Sequence, residues 1–338
     1  MSGSRGCYAR CTFCDIKSFY KNGRGPGWRG RSPANILHEM RIIQRRYGKD
    51  LTFSFVDDQF IGPGKKGYNQ AVEFANLLLK SGGDFAFEIT CRADTVERDL
   101  FALLKKAGLH GVYIGIDSGS PKGLEHFRKD LSMEDNLRAI KILNALKIPV
   151  DLGFIMFEPL MSLNDLQHNI DFLRKVSFSG VFINPAAILN SLSLYPETPI
   201  ISQIPNASEY HFRLNGFECQ SSLFLDQRVA IIRDALKRYW TFSLKSHFQS
   251  AEQLLENSIS EPFCPENIDR AKSILLHSSE FLLDLLEELT DELQSIDVTK
   301  HQSALARYNL IIRSKTENLF STLKDDMLKG RLKDMIIS

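Results

Sequence analysis

Cys7, Cys11 and Cys14 fall within eight residues in the spacing CxxxCxxC, with Phe13 immediately before the last of them. A structural zinc site takes four N or S ligands, usually as two spaced pairs, and no CxxC or HxxxH partner pair occurs elsewhere in the chain. Cys219 and Cys264 stand alone. Three soft thiolates suit a four-iron four-sulfur cluster with one iron left free of protein ligands, and an open iron implies a bound small molecule.

These thiolates need a frame, and the glycines show where it lies. Nineteen of the 21 glycines lie at or before Gly180, so the architecture changes in the last third of the chain. Up to about Pro205, short β-branched and aromatic runs alternate with helical patterns, which predicts parallel strands joined by crossover helices. Ser32 caps a first helix, Pro33 takes its first position, and Ile36, Met40, Ile43 and Tyr47 recur at helical spacing before Gly48. Strands are expected at 51–58, 85–91, 111–116, 150–156 and 180–184, with a last one near 188–194. The helices between them are expected over 68–79, 96–106, 133–146 and 163–175, and Gly62 to Lys66 reads as a turn. Beyond Ser222 the pattern is helical, broken at Glu261-Pro262 and Pro265. Ile268, Ala271, Leu275, Leu282, Leu285, Leu289 and Leu293 form an apolar stripe that fits core packing in a helical bundle. Tyr239-Trp240 reads as a pair of buried anchors, with the lining of a pocket as the alternative.

GCYARCTFC resembles the signature loop of the radical S-adenosylmethionine (SAM) superfamily, CxxxCxΦC, with Phe13 as the aromatic Φ. FVDDQF (55–60), GIDSGS (115–120), GFIMFEP (153–159) and LYPETP (194–199) match further family segments in order, so the resemblance covers roughly residues 1–205. The set is similar to the branch containing cobalamin-dependent and methylthiolating enzymes.

The resemblance implies an α/β fold, a partial (β/α)6 TIM-like barrel over residues 1–205, followed by a linker at 206–221 and a C-terminal all-α helical domain at 222–338. It implies a [4Fe-4S] cluster on Cys7, Cys11 and Cys14 and SAM on its open iron. An electron would cleave the sulfonium to methionine and a 5′-deoxyadenosyl radical, which takes hydrogen from an organic substrate in natural-product or cofactor biosynthesis. Phe13 would lie near the adenine, and Asp57 and Asp58 near the SAM amino group, with an Asx turn or helix cap as the structural alternative for them. Asp117 and Ser118 stand where the family has Glu-Ser, at the ribose. Arg92 would meet the SAM carboxylate or else pair with Asp94 or Glu88. Gly153 and Ile155 match a GxIxG segment behind the adenine, with Phe157 in place of its second glycine.

Other residues carry less. His38, His110, His126 and His168 lack metal spacing and suit surface or capping roles, and Cys91 suits the core, with catalysis as its alternative. Residues 23–31 read as a loop in which Trp28, Arg29 and Arg31 touch substrate or clamp the cluster loop. Relatives of this branch often carry an N-terminal cobalamin-binding domain, and the chain begins six residues before Cys7, so the expectation is a first strand that is unusually short or truncated.

Charge is balanced, 42 Lys+Arg against 41 Asp+Glu, which points away from nucleic acid and toward a small-molecule or carrier-borne substrate. No run of 18 apolar residues crosses a membrane and no apolar leader opens the chain, so the reducing cytoplasm is expected. The electron donor would be a flavodoxin or ferredoxin. Two alternatives stand beside hydrogen abstraction: a methyltransferase using cobalamin from a separate chain or from solution, and a non-catalytic iron-sulfur or zinc module.

Overall fold

The structure, a computed structural model, describes residues 1–20, 26–205, 207, 219–239, 265–294 and 314. The expectations for residues 23–25, most of the linker, Trp240, Glu261-Pro262, Cys264 and much of the C-terminal segment lie outside the described residues, as do the side chains of Ile268, Ala271, Leu275 and Tyr239. The chain divides into two compact units, one of Met1–Phe154, Phe172–Phe182 and Ser193–Glu218, the other of Ile155–Asp171, Ile183–Leu192 and Cys219–Ser338.

The first unit opens with a two-residue strand β1 (Ser4–Arg5), a single helical turn α1 (Ile16–Phe19) and β2 (Arg29–Gly30), which pairs antiparallel with β1. Just upstream, the Val56 N–H donates to the Met1 carbonyl at 2.9 Å, so the first residues run beside the strand that ends at Ser54. Next come α2 (Pro33–Tyr47), β3 (Thr52–Ser54), α3 (Gly64–Lys80), β4 (Ala86–Arg92), α4 (Arg98–Lys106), β5 (Leu109–Asp117), α5 (Pro121–His126), α6 (Met133–Ala145) and β6 (Val150–Phe154). Strands β3, β4, β5 and β6 are adjacent in that order and parallel, each reached by a helical crossover.

Strand alternation divides the sheet into two chemical faces. Phe53, Phe87, Ile89, Cys91, Val112, Ile114, Leu152 and Phe154 are all buried on one face. The aromatic rings of Phe55, Phe60, Phe74 and Phe87 pack edge to face in that core. The opposite face is polar and stepped in register. Ser54, Glu88 and Gly111 form one row, Thr90, Tyr113 and Asp151 the next, and Arg92, Gly115 and Gly153 the third, nearest the C-terminal ends.

Gly108, at φ 108°, ends α4, and an added Cβ there would lie 1.6 Å from the Phe85 carbonyl oxygen, so only glycine fits. Ser132 and Asp135 close a capping box at the start of α6. Helix α3 starts at Gly64, four residues before the expected Tyr68, which corrects the reading of 62–66 as a turn. The extended Pro63 serves as its N-cap, and Gly67 leaves room for the Gly62 carbonyl.

Four parallel strands are hydrogen-bonded among the described residues, and the sheet is not closed into a barrel. The expected strand at 180–184 is irregular instead. Asn184 accepts from the Ala186 N–H at 2.9 Å and starts α8 (Pro185–Leu189), whose first residue is a proline without a ladder donor. The expected strand at 188–194 reduces to the end of that helix and one parallel bridge, Phe157 to Ser191. Helix α7 spans Leu163–Phe178.

In the second unit, α8, α9 (Gln227–Tyr239) and α10 (Pro265–Gln294) pack together. Leu282, Leu285, Leu289 and Leu293, the described part of the expected stripe, are buried, as are Val229, Ile232 and Leu236 of α9. Asp226 accepts from the Leu163 N–H at 3.1 Å and from Arg228 Nη2 at 2.7 Å, joining the start of α7 to the turn before α9.

Candidate active site

The cysteine loop is held at its middle residue. Thr12 is fully buried, its N–H donates to the Phe127 carbonyl at 2.9 Å, and its hydroxyl donates to the His126 carbonyl at 2.5 Å. Its own carbonyl accepts from the Ile200 N–H at 3.0 Å, at the 3₁₀ turn Pro199–Gln203 that follows LYPETP. A residue tied at three points leaves its neighbours, Cys11 and Phe13, little freedom. Phe13 meets Phe127 edge to face at 5.0 Å.

Cys7, Cys11 and Cys14 are free and half-buried. Burial pushes the Cys11 thiol up, while Lys129 and Arg92 pull the other way. Burial likewise pushes Cys14 up to about 11 against the Ile16 N–H. Arg92 Nη1 lies 3.7 Å from Cys11 Sγ, so a cation stands ready beside a thiolate. Among the described residues, no three His, Cys, Asp or Glu side chains converge closely enough to hold a single metal ion. Three free soft thiols in one loop are the donor set that a four-iron cluster with one open iron takes.

Three of the expected SAM-contact residues, Asp57, Asp58 and Arg92, touch the loop or the backbone that leads into it. Asp57 is buried, and its Oδ2 accepts from the Gly3 N–H at 2.9 Å. Its Oδ1 is also buried and has no hydrogen-bond partner, and desolvation raises its carboxyl. Asp58 accepts from the Gly6 N–H at 2.9 Å. Neither forms an Asx turn or helix cap; both brace the backbone that leads into Cys7. Arg92 is buried, donates from Nε to Asp94 at 3.0 Å and from Nη2 to the Lys129 carbonyl at 2.8 Å, and lies over the Tyr8 ring at 5.9 Å. Of its two expected protein partners, Asp94 rather than Glu88 is the one engaged.

Asp117 has φ 66° and ion-pairs with Lys129, both buried. Ser118 is buried and accepts from the Ser120 N–H at 3.1 Å, and Gly123 leaves the space its hydroxyl occupies. Gly153 lies under the Tyr113 phenol, 2.7 Å from where a Cβ would stand, while Ile155 is buried in the second unit. Trp28 is buried and donates to the Gln59 carbonyl at 2.7 Å, a clamp rather than an exposed contact. Cys91 is buried on the apolar face, and burial pushes its thiol up to about 12. His38 and His110 are exposed.

Sequence reasoning missed Thr12 and Lys129. Thr12 lies inside the CxxxCxxC loop, where flanking chemistry draws attention away from it. Lys129 sits in FRKDLS between two residues of positive φ, Arg128 and Asp130, and no periodicity marks it. Helix α5 was missed as well, although Ser120-Pro121, a capping residue followed by proline, carries its signal, and Ser120 accepts from the Gly123 N–H at 3.4 Å.

A family model described as "Radical SAM superfamily" matches residues 1–173. The 4′-phospho-dehydrooxetanocin synthase of Priestia megaterium is 32% identical over 192 residues, covering 51% of this chain and 25% of that protein. An uncharacterized methyltransferase of Pyrococcus horikoshii is 28% identical over 174 residues, covering 51% of this chain and 36% of its own. The solved structure of the cobalamin-dependent S-adenosylmethionine radical enzyme OxsB with aqua-cobalamin matches the whole of this chain and 56% of its own at a TM-score of 0.74 and 20% identity, a likeness of fold. The chain thus spans a quarter to about two-fifths of the first of the curated relatives it matches.

Proposed function

The chain belongs to the radical SAM superfamily, whose enzymes use a [4Fe-4S] cluster and SAM, and we propose that Cys7, Cys11 and Cys14 hold that cluster in this enzyme. The observation that carries this reading is the loop itself: three free, half-buried thiols on either side of a threonine tied at three points, with Arg92 against the middle one. When bound, the cluster and SAM supply a reductive cleavage of the sulfonium that yields a hydrogen-abstracting 5′-deoxyadenosyl radical.

The chain's own residues bind and orient. Thr12 sets the direction of the loop, and Asp57 and Asp58 hold its entry by the Gly3 and Gly6 N–H groups. Asp57 Oδ1, buried and unpartnered, is the acceptor best suited to the SAM ammonium. Phe13 would offer a ring edge to the adenine, and Asp117 and Ser118 would offer oxygens to the ribose, with Gly153 behind the base. Arg92 and Lys129 place two cations near Cys11, where Arg92 can also meet the SAM carboxylate. Residues 1–205 would form the catalytic core, 206–221 a linker and 222–338 a helical domain. A flavodoxin or ferredoxin in the cytoplasm would supply the electron, and the substrate would be a small or carrier-borne molecule. Among the described residues, no helix is long and apolar enough to cross a membrane.

Anaerobic reconstitution followed by dithionite and SAM tests this reading. It expects 5′-deoxyadenosine, and an intact cluster without 5′-deoxyadenosine overturns it. Cys11→Ala should abolish both the cluster absorbance and SAM cleavage, and retention of either defeats the ligand assignment.

The similarity to an uncharacterized methyltransferase of Pyrococcus horikoshii supports a second reading, methyl transfer with cobalamin from another chain or from solution. Added cobalamin should then yield a methylated product carrying the label of methyl-labelled SAM; its absence leaves hydrogen abstraction as the reaction.

A further inference from the structure

The polar face of the sheet carries a second feature, below the row that holds Arg92. A cleft of about 300 Å³ opens over the first two rows, lined by Ser54, Glu88, Thr90, Tyr113 and Asp151. That volume is at the small end of ligand cavities. Glycines shape its floor. The Glu88 side chain lies across Gly111, with Oε1 3.3 Å from where a Cβ would stand, and Tyr113 lies across Gly153 in the same way. Larger residues at either glycine would push these side chains off the sheet and close the space.

The charge of the cleft is one-sided. Glu88 has no ion-pair partner among the described residues, and Asp151 has only the N–H of Leu152. The nearest cations of the adjoining row are taken, Arg92 by Asp94 and Lys129 by Asp117. Partial desolvation raises the Asp151 carboxyl, the response of an acid whose counter-charge is missing. Desolvation, with Asp117 and Asp151 adding to it, also raises Tyr113, so its phenol stays a donor at neutral pH. Two carboxylates, a phenol and two aliphatic hydroxyls are acceptors for a cation and for hydroxyl groups, and they repel phosphate.

We propose that the cleft bounded by Glu88, Tyr113 and Asp151 binds a small hydroxylated amine, with its ammonium between the two carboxylates and its hydroxyls on Tyr113, Thr90 and Ser54. The inference deepens the enzymatic reading, because a ligand in these rows lies one layer below Arg92 and the cysteine loop it contacts. Binding itself needs neither cluster nor SAM, so its test stands apart from that reading.

The experiment is calorimetric titration of the metal-free full chain at pH 7 with glucosamine, glucose and glucose 6-phosphate, three sugars on one pyranose ring that differ in charge. Glucosamine should bind tightest and glucose 6-phosphate weakest. Glu88→Gln and Asp151→Asn should each weaken glucosamine by about tenfold while leaving glucose within about twofold, since each removes one charge-assisted contact. Tyr113→Phe, which keeps the ring over Gly153, should weaken both uncharged and charged sugars alike. Circular dichroism checks that each variant is folded, and Asp151→Asn, on a solvent-exposed side chain, serves if Glu88→Gln does not fold. No glucosamine binding at 50-millimolar order of concentration, about equal binding of glucosamine to the wild type and a folded carboxylate variant, or preference for glucose 6-phosphate overturns the proposal. Production of 5′-deoxyadenosine in the same preparation after reconstitution would show that the enzymatic reading survives such a failure.

Discussion

Replacing Lys129 by methionine keeps the unbranched, apolar stem of the side chain and removes the terminal ammonium, with its charge, from beside the cysteine loop. The ammonium pairs with Asp117, and the two side chains are 4% and 11% exposed. Methionine leaves the Asp117 carboxylate buried without this counter-charge. Breaking one partner of a buried pair typically costs about 3–5 kcal/mol, because the remaining charge keeps its desolvation penalty and loses its compensation. For a cooperative unit of this size, 1 kcal/mol shifts the midpoint by about 2–4 °C, so Lys129→Met should lower it by roughly 6–20 °C. Asp117→Asn should cost a similar amount by stranding the lysine. The double variant removes both charges and should cost well below the sum of the two, with a coupling of at least about 2 kcal/mol. Differential scanning calorimetry of the metal-free chain measures all four proteins. A midpoint for Lys129→Met within 2 °C of wild type, or strictly additive losses in the double variant, would refute the reasoning: the pair would then be solvated and not a buried strut.

Thr12→Val preserves the shape of the side chain but removes the donor to the His126 carbonyl, at a cost of about 1–3 kcal/mol for a buried acceptor left short. Iron bound per chain after anaerobic reconstitution should fall below wild type while Cys7, Cys11 and Cys14 remain present; unchanged iron content would mean that the loop does not depend on this tie. Asp226 gives a pH signature in the second unit. Burial works to raise its carboxyl, but hydrogen bonds from Arg228 and Leu163 outweigh that and hold it below the usual carboxylate range. A depressed pKa stabilises the fold above the unfolded value of about 3.9, and this contribution is lost as pH falls through the lower folded value. The midpoint difference between wild type and Asp226→Asn should therefore be present at pH 7 and shrink on acidification below about pH 4; a difference independent of pH contradicts the assignment.

The local elements were legible because their causes are local. Ser32-Pro33 and Gly48 bound α2, Gly108 stops α4, and period-two alternation marks β4 and β5, since each signal depends on neighbours within a turn or a strand. The same logic failed at 180–194. Hydrophobic runs of that length suit a strand or a short buried helix equally, and the Asn184-Pro185 start decides for the helix. Helix α3 began early for a related reason: Gly64 and Gly67 are poor helix formers in isolation, but the close passage of the Gly62 carbonyl explains Gly67 and the positive φ of 58° explains Gly64.

The spacing of Cys7, Cys11 and Cys14 and the ordered motifs behind it pointed to the superfamily by themselves, because residue type and spacing within one loop are properties of the sequence, and the family match over residues 1–173 agrees. Only the tertiary structure decided how that loop is held. Asp57 and Asp58 reach back more than fifty residues to the Gly3 and Gly6 N–H groups, Thr12 is tied to His126, Phe127 and Ile200, and Lys129 pairs with Asp117 across a turn of unusual dihedrals. Such contacts join residues far apart in the chain, and no periodic pattern records them. The acidic cleft has the same origin. Glu88, Tyr113 and Asp151 lie on three different strands and become neighbours only when parallel pairing sets β4, β5 and β6 in register, with glycines between them to keep the space open.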